Sequence, residues 1–150
     1  MDRVLGLNTR IASAIFVIID LLCVGIGMGV PFFCILFGFL VGWYITKRET
    51  ITTSDVKSIL WKVFLYAIVT STFTFVVMSV IWGSTIPMLF DPSADFQNFG
   101  HPFILYDPKV SFVGWLVLMI LLSPVLQLLT TIFGSYLTLL RWLKSDSTAV

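Results

Sequence analysis

Three long apolar blocks dominate this chain of 150 residues and constrain its fold more than any other feature. They cover residues 11–46, 59–82 and 110–143. About 20 helical residues cross the hydrocarbon core of a bilayer, so the blocks have the length of membrane spans. The chain is 58% hydrophobic and only 11% charged, whereas soluble domains are about 25% charged. The sequence therefore predicts an all-α integral membrane protein whose main surroundings are the lipid bilayer.

The first block is too long for a single crossing and contains a natural break. Gly27 and Gly29 weaken a helix there, and Pro31 suits the first turn of a new one. We therefore predict a tight hairpin with spans 11–28 and 31–46, followed by spans 59–82 and 110–141. All four helices belong to one transmembrane domain over residues 1–150, with an outer loop at 83–109.

Charge sets the predicted orientation of the four helices. Eight of the nine basic residues fall on one side of such a bundle, and Lys109 lies on the other beside several aspartates. Cytoplasmic loops carry the excess of Lys and Arg, so both termini are predicted to be cytoplasmic. The eight are Arg3, Arg10, Lys47, Arg48, Lys57, Lys62, Arg141 and Lys144.

Aspartate–proline pairs mark two predicted helix starts in and after the outer loop. Asp107 before Pro108 suits the N-cap of the last helix. The segment 91–100 begins with the same pair, Asp91 and Pro92, and closes on a glycine. It predicts a short helix within the outer loop.

Asp20 is the principal candidate for a functional residue. It lies ten residues after Arg10, about 15 Å along a helix and therefore near the bilayer midplane. When residues are counted from the cytoplasmic ends of the other predicted helices, several polar residues fall at the same depth. They predict a polar layer around Asp20. That predicted site consists of Asp20, Thr72, Gln127, Thr130 and Thr131. All these possible partners are neutral, so we expect the Asp20 carboxyl to be uncharged at neutral pH.

Three interpretations of Asp20 follow from the sequence. It can hold helices together through hydrogen bonds to hydroxyls and amides. It can also dock onto a basic or polar group of another membrane subunit, or form a proton or cation site in a small transporter. In having four helices with an acid in the first, the chain resembles the small multidrug exporters, and it shares no other motif with them.

Small residues and a proline predict how the helices pack. Gly25 with Gly29, and Gly38 with Gly42, have the G-x-x-x-G spacing that lets helix backbones touch in lipid. We expect both pairs to pack within the first hairpin, with an intermolecular contact as the alternative. Pro124 lies inside the last span and predicts a kink.

The sequence argues against several functional classes. Asp91, Asp95, His101 and Asp107 lack the spacing of metal ligands. No nucleophile–base pair or phosphate loop is present, and a net charge of +1 does not suit nucleic acid. We therefore expect a protein that is not an enzyme and that has no metal or other cofactor.

The leading hypothesis is an accessory or scaffold subunit that packs into a larger membrane complex or with itself. The alternative is a small homo-oligomeric proton- or cation-coupled transporter that uses Asp20.

Overall fold

The structure, a computed structural model, describes residues 5–26, 32–100 and 105–147. Of these residues, 84% are helical and none lies in a strand, which confirms the all-α prediction. The elements in chain order are α1 (Thr9–Ile26), α2 (Phe32–Thr52), α3 (Val56–Gly83), a 3₁₀ helix (Ile86–Phe90), α4 (Pro108–Val117), a π-helical turn (Leu118–Leu122) and α5 (Ser123–Ser147).

Aspartate side chains cap the N-termini of two of these helices. Asp55 is the N-cap of α3, where its carboxylate accepts from the backbone amides of Lys57 and Ser58. Asp107 caps α4 by accepting from the Val110 amide, with Pro108 in the first turn, as predicted. Each cap satisfies backbone donors that have no partner within the helix itself.

The last long apolar segment carries an irregularity next to Pro124. The Ser123 amide donates to the Leu118 carbonyl five residues earlier, which closes the π-helical turn before the proline. The Ser123 hydroxyl also donates to the Met119 carbonyl at 2.6 Å. Because proline cannot donate to the helix, a carbonyl of the preceding turn lacks its usual partner. The π-helical turn is the irregularity that the structure shows beside Pro124, where the sequence predicts a kink.

Helices α2 and α5 form the closest pair in the bundle, because glycines allow their backbones to meet. A Cβ on Gly134 would lie 2.7 Å from the Phe39 carbonyl oxygen. Small residues allow such close contacts where lipid gives apolar side chains no other reason to associate. Helix α3 packs beside this pair through an apolar cluster of Val41, Ile45, Ile59, Val63 and Leu139.

Helix α1 lies at the edge of the bundle. Of its side chains only Asp20 and Val24, one turn apart, are buried. Near its start Thr9 accepts a hydrogen bond from Arg48, and in its second half the Asp20 carbonyl accepts one from Cys34. Since Arg48 lies near the end of α2 and Cys34 near its start, the two helices run antiparallel. The turn predicted to join them, with Gly29, lies outside the described residues.

The segment between α3 and α4 differs from the prediction. Residues 91–100 contain turns and no helix, and the short helix lies just before them at Ile86–Phe90. Asp91 accepts from the Ser93 amide at 2.8 Å, and Asp95 accepts from the Asn98 amide at 3.2 Å. The aspartates thus cap turns, because a short side chain closes such a turn as readily as it caps a helix.

Three described helices are long and apolar enough to cross a membrane: Thr9–Ile26, Val56–Gly83 and Pro108–Ser145. Long apolar helices of this kind are compatible with a multi-pass membrane protein. Helix α2 is not among the three, because Lys47, Arg48 and Glu49 interrupt its last two turns. Its uninterrupted apolar part, residues 32–45, is about 21 Å long.

Candidate functional site

Asp20 lies at a junction of the four long helical segments and is completely buried, with 0% of its surface exposed. Its Oδ2 accepts from the Thr74 hydroxyl of α3 at 3.0 Å. Its Oδ1 accepts from Nε2 of Gln127 in α5 at 3.1 Å. On α2 the Cys34 thiol lies 3.8 Å from the Asp20 backbone carbonyl, at the long end of a sulfur hydrogen bond. One side chain of α1 therefore joins the helix that is otherwise least packed to both α3 and α5.

The side chains around Asp20 are buried and supply the hydrogen-bond donors that a buried carboxyl group needs. Thr74 and Gln127 are also 0% exposed. A buried carboxyl group without hydrogen-bond partners is costly, and two donors from two helices satisfy one bond on each oxygen. We define Asp20, Thr74 and Gln127 as the polar triad.

Thr72 was the predicted hydroxyl partner on α3, and that prediction is wrong. Thr72 is exposed, whereas Thr74 is buried at the triad. A step of two residues advances only about 3 Å along a helix but rotates about 200° around its axis. Counting residues from the membrane edge estimates depth, but it does not determine the direction in which a side chain points.

Thr130 and Thr131 were also predicted to surround Asp20, and the structure gives them other partners. Thr130 donates to the Ile35 carbonyl of α2 at 2.7 Å. Thr131 donates to the Gln127 carbonyl at 2.8 Å within its own helix. Asp20 thus lies one turn further from the charged end than expected, level with Gln127.

A polar stripe lies along the buried face of α5. It consists of Ser123, Gln127, Thr131, Ser135 and Thr138, each at most 6% exposed. Their spacing of three or four residues, visible in the sequence, places them on one helix face. Ser135 meets the Thr46 hydroxyl of α2 at 2.5 Å, and Ser71 of α3 donates to the Pro124 carbonyl. Polar groups of α5 therefore bond to both α2 and α3.

One polar atom of the triad has no partner among the described residues. Gln127 Oε1 is buried and accepts no hydrogen bond there. Because the amide nitrogen is directed at Asp20, its oxygen faces the interior without a donor. Such an atom can accept a hydrogen bond from a further polar group, such as a water molecule or a protonated carboxyl group.

The two glycine pairs have different positions. A Cβ on Gly38 would lie 2.7 Å from the Gln127 carbonyl oxygen, and one on Gly42 would lie 2.8 Å from the Ser135 amide nitrogen. Both glycines therefore contact α5, not α1, and the prediction that they pack within the first hairpin is wrong. Gly25 is exposed with open space around it, and Gly29 lies outside the described residues.

A charged pair lies where α2 ends and α3 begins. Lys62 Nζ donates to Glu49 Oε2 at 2.6 Å, with side chains 42% and 10% exposed respectively. Glu49 was not among the predicted site residues, and α2 continues as a helix through its charged end. The position of Lys62 in the second turn of α3 was the only signal for this pair.

Other possible reactive groups are dispersed in the structure. Cys23 and Cys34 are separate thiols. Within the described ranges no three His, Cys, Asp or Glu side chains come close enough to hold a metal ion. Of the four outer-loop residues weighed as metal ligands, His101 lies outside those ranges.

Comparison with known proteins provides no functional assignment. No protein family, curated protein or solved structure matches this chain. Its function must therefore be inferred from its own residues.

Proposed function

We propose that this protein crosses the membrane four times, with α2 as the additional span. The first fourteen residues of α2 are apolar, and the hydrocarbon core is about 30 Å thick. Lys47 and Arg48 can extend their side chains towards the membrane surface from a helix that is slightly too short. The antiparallel course of α1 and α2 supports two separate crossings.

The proposed orientation places both termini in the cytoplasm. Basic residues occur at the start of α1, the end of α2, the start of α3 and the end of α5. On the other side, three aspartates lie between α3 and α4, and Lys109 lies in the first turn of α4. The positive-inside rule assigns the first group to the cytoplasmic side. Ser93→Cys and Ser54→Cys, both at exposed positions, test this orientation. An impermeant maleimide should label intact cells only at position 93, and the reverse pattern would refute it.

Within this topology we propose a non-catalytic role as an accessory or scaffold subunit of a membrane complex. The observation that carries the proposal is the polar triad. Asp20 bonds to Thr74 and Gln127 of its own chain and has no exposed surface. An acid bonded in this way attaches α1 to the rest of the bundle. Because these bonds are all internal, the outer surface of the bundle remains available to other molecules.

That outer surface is apolar and extensive on α1. Six large side chains are between 41% and 70% exposed: Ile11, Ile15, Ile18, Leu21, Leu22 and Ile26. In a bilayer this face can remain in lipid or pack against helices of a partner. The triad holds α1 in the orientation that presents it.

Two threonines on α3 provide a matched test of this role. Thr74→Val removes the donor to Asp20, whereas Thr72→Val changes an exposed position two residues away. Native mass spectrometry after mild extraction should show partner subunits in fixed stoichiometry with the native chain and the Thr72 variant, and a weakened complex with the Thr74 variant. A stable monomer without partners, for the native chain, would refute the subunit role.

A small proton- or cation-coupled transporter is the second candidate, and one specific observation favours it. Gln127 donates through Nε2 to Asp20 Oδ1, and its buried Oε1 has no hydrogen-bond partner among the described residues. Intramembrane acids of this kind mark proton relays in pumps and transporters. Native protein in liposomes should then conduct protons, and Asp20→Asn should abolish this flux while the helical content is unchanged. Equal flux from both proteins would exclude the role.

A further inference from the structure

A groove of about 480 Å³ lies beneath the first half of α1, between this helix and the facing sides of α2 and α3. Leu7, just before α1, and Ile19 on α1 line its two ends, and Phe37 and Phe73 line it from α2 and α3. Leu40 and Val69, at its edges, are 61% and 58% exposed. The groove therefore opens sideways to the surroundings of the bundle.

The dimensions of the groove suit a hydrocarbon chain. Thr9 and Ile19 both line the groove and are ten residues apart on α1, about 15 Å of helix. Dividing the volume by this length gives a mean width of roughly 6 Å, whereas a helix with its side chains is about 10–12 Å wide. Water would find few polar partners along such a lining. A single acyl chain fits the shape and the chemistry better than a protein helix or water.

The charged side chain at the end of the groove beside Thr9 indicates which lipid headgroup could bind there. Arg48 lines this end and donates to the Thr9 hydroxyl at 3.0 Å. Glu49 also lines the groove, and its carboxylate is paired with Lys62. In the described part of the chain no carboxylate forms an ion pair with Arg48. Its guanidinium has five N–H donors, so donors remain for an anionic group.

We propose that the groove binds one acyl chain of an anionic phospholipid, with the lipid phosphate on Arg48 and Thr9. Basic pockets between helices on the cytoplasmic side of a membrane bind anionic headgroups in this way. Arginine suits phosphate because its planar fork donates two parallel hydrogen bonds. The inference depends on the membrane setting proposed above, but not on a partner subunit or on transport.

Lipid retention by the purified full chain tests the headgroup. The protein is extracted in mild detergent and offered phosphatidylglycerol and phosphatidylcholine with identical acyl chains. Native mass spectrometry then counts the bound lipids. One arginine near the membrane surface corresponds to a preference of about fivefold for the anionic lipid. Arg48→Gln should lower the ratio to about one, Arg48→Lys should restore most of it, and Arg10→Gln, outside the groove, should leave it unchanged. Equal retention of both lipids by the native protein would overturn the headgroup assignment.

A second pair of variants tests the groove itself. Ala12 lines the groove and Ala14, two residues away, is exposed outside it. Ala12→Phe should reduce the retention of both lipids, and Ala14→Phe should not. If both variants retain as much lipid as the native chain, the lipid does not occupy this groove. Because lipid is counted on the isolated protein, these results are independent of whether a partner complex exists.

Discussion

Adding one methyl group to Gly42 tests the contact between α2 and α5 on which the bundle depends. The new Cβ would overlap the Thr131 carbonyl oxygen and lie 2.8 Å from the Ser135 amide nitrogen. These are backbone atoms of a helix and cannot rotate away. Ordinary contacts begin near 3.4 Å, so the Ser135 nitrogen alone requires a separation of about 0.6 Å.

The energetic cost follows from what this separation disrupts. The Thr46–Ser135 hydroxyl contact at 2.5 Å and the Thr130–Ile35 bond at 2.7 Å would both lengthen beyond the usual O–H···O limit of about 3.0 Å. Interhelical hydrogen bonds in membranes contribute about 0.6 kcal/mol each. Overpacking costs about 1–3 kcal/mol in all, and alanine returns up to about 1 kcal/mol of helix propensity. We expect Gly42→Ala to destabilise the protein by about 1–2 kcal/mol.

Gly25→Ala is the matched control, because the same substitution there meets no atom within 4 Å. We expect it to be neutral or to stabilise the protein by up to about 1 kcal/mol. Reversible unfolding in mixed micelles, followed by circular dichroism and tryptophan fluorescence, measures the free energy of unfolding of both variants. If Gly42→Ala proves as stable as Gly25→Ala, the close contact between α2 and α5 does not support the fold.

Two further predictions concern charged groups outside the apolar core. Lys62→Met should destabilise the protein more than Glu49→Gln, by about 1–3 kcal/mol, because it leaves the 10% exposed Glu49 carboxylate without its partner; equal unfolding free energies for the two variants would contradict this reasoning. In the outer loop, hydrogen bonds from the Ser93 and Asn98 side chains lower the pKa of Asp91 and Asp95. The resulting stabilisation is present above the ordinary aspartate pKa of about 3.9 and is lost as the pH falls through the lowered values. Protection factors of the Ser93 and Asn98 amides in hydrogen exchange should therefore decrease on acidification, and constant protection would refute the role of the carboxylates.

Much of the secondary structure could be predicted from the chain alone. Long apolar blocks predicted helices because lipid leaves the backbone no other way to satisfy its hydrogen bonds. The start of α4 at Asp107 and Pro108 was predicted correctly, since a cap acts on amides within one turn. The helix predicted over residues 91–100 was wrong for a related reason. Aspartate stabilises turns and helix starts through the same local bonds, and the local sequence does not distinguish them.

The polar triad shows where sequence reasoning loses accuracy. Asp20 and Gln127 were both named as site residues, and the structure joins them by a hydrogen bond. The choice of Thr72 over Thr74 failed because depth can be counted along the chain but rotation about the helix axis cannot. Gly134 and Thr46 were missed. For Gly134, the spacing of small and polar residues on α5 was a signal in the sequence.

The chain by itself determined that apolar helices form, roughly where they begin, and that one acid must lie among them. Those properties depend on hydrogen bonds and transfer energies that act within a helix or between a residue and its solvent. The tertiary structure alone decided that Gly38 and Gly42 meet α5, and that Asp20 faces Thr74 and Gln127. These contacts depend on how helices distant in sequence rotate and approach one another, which the packing of all the helices sets together.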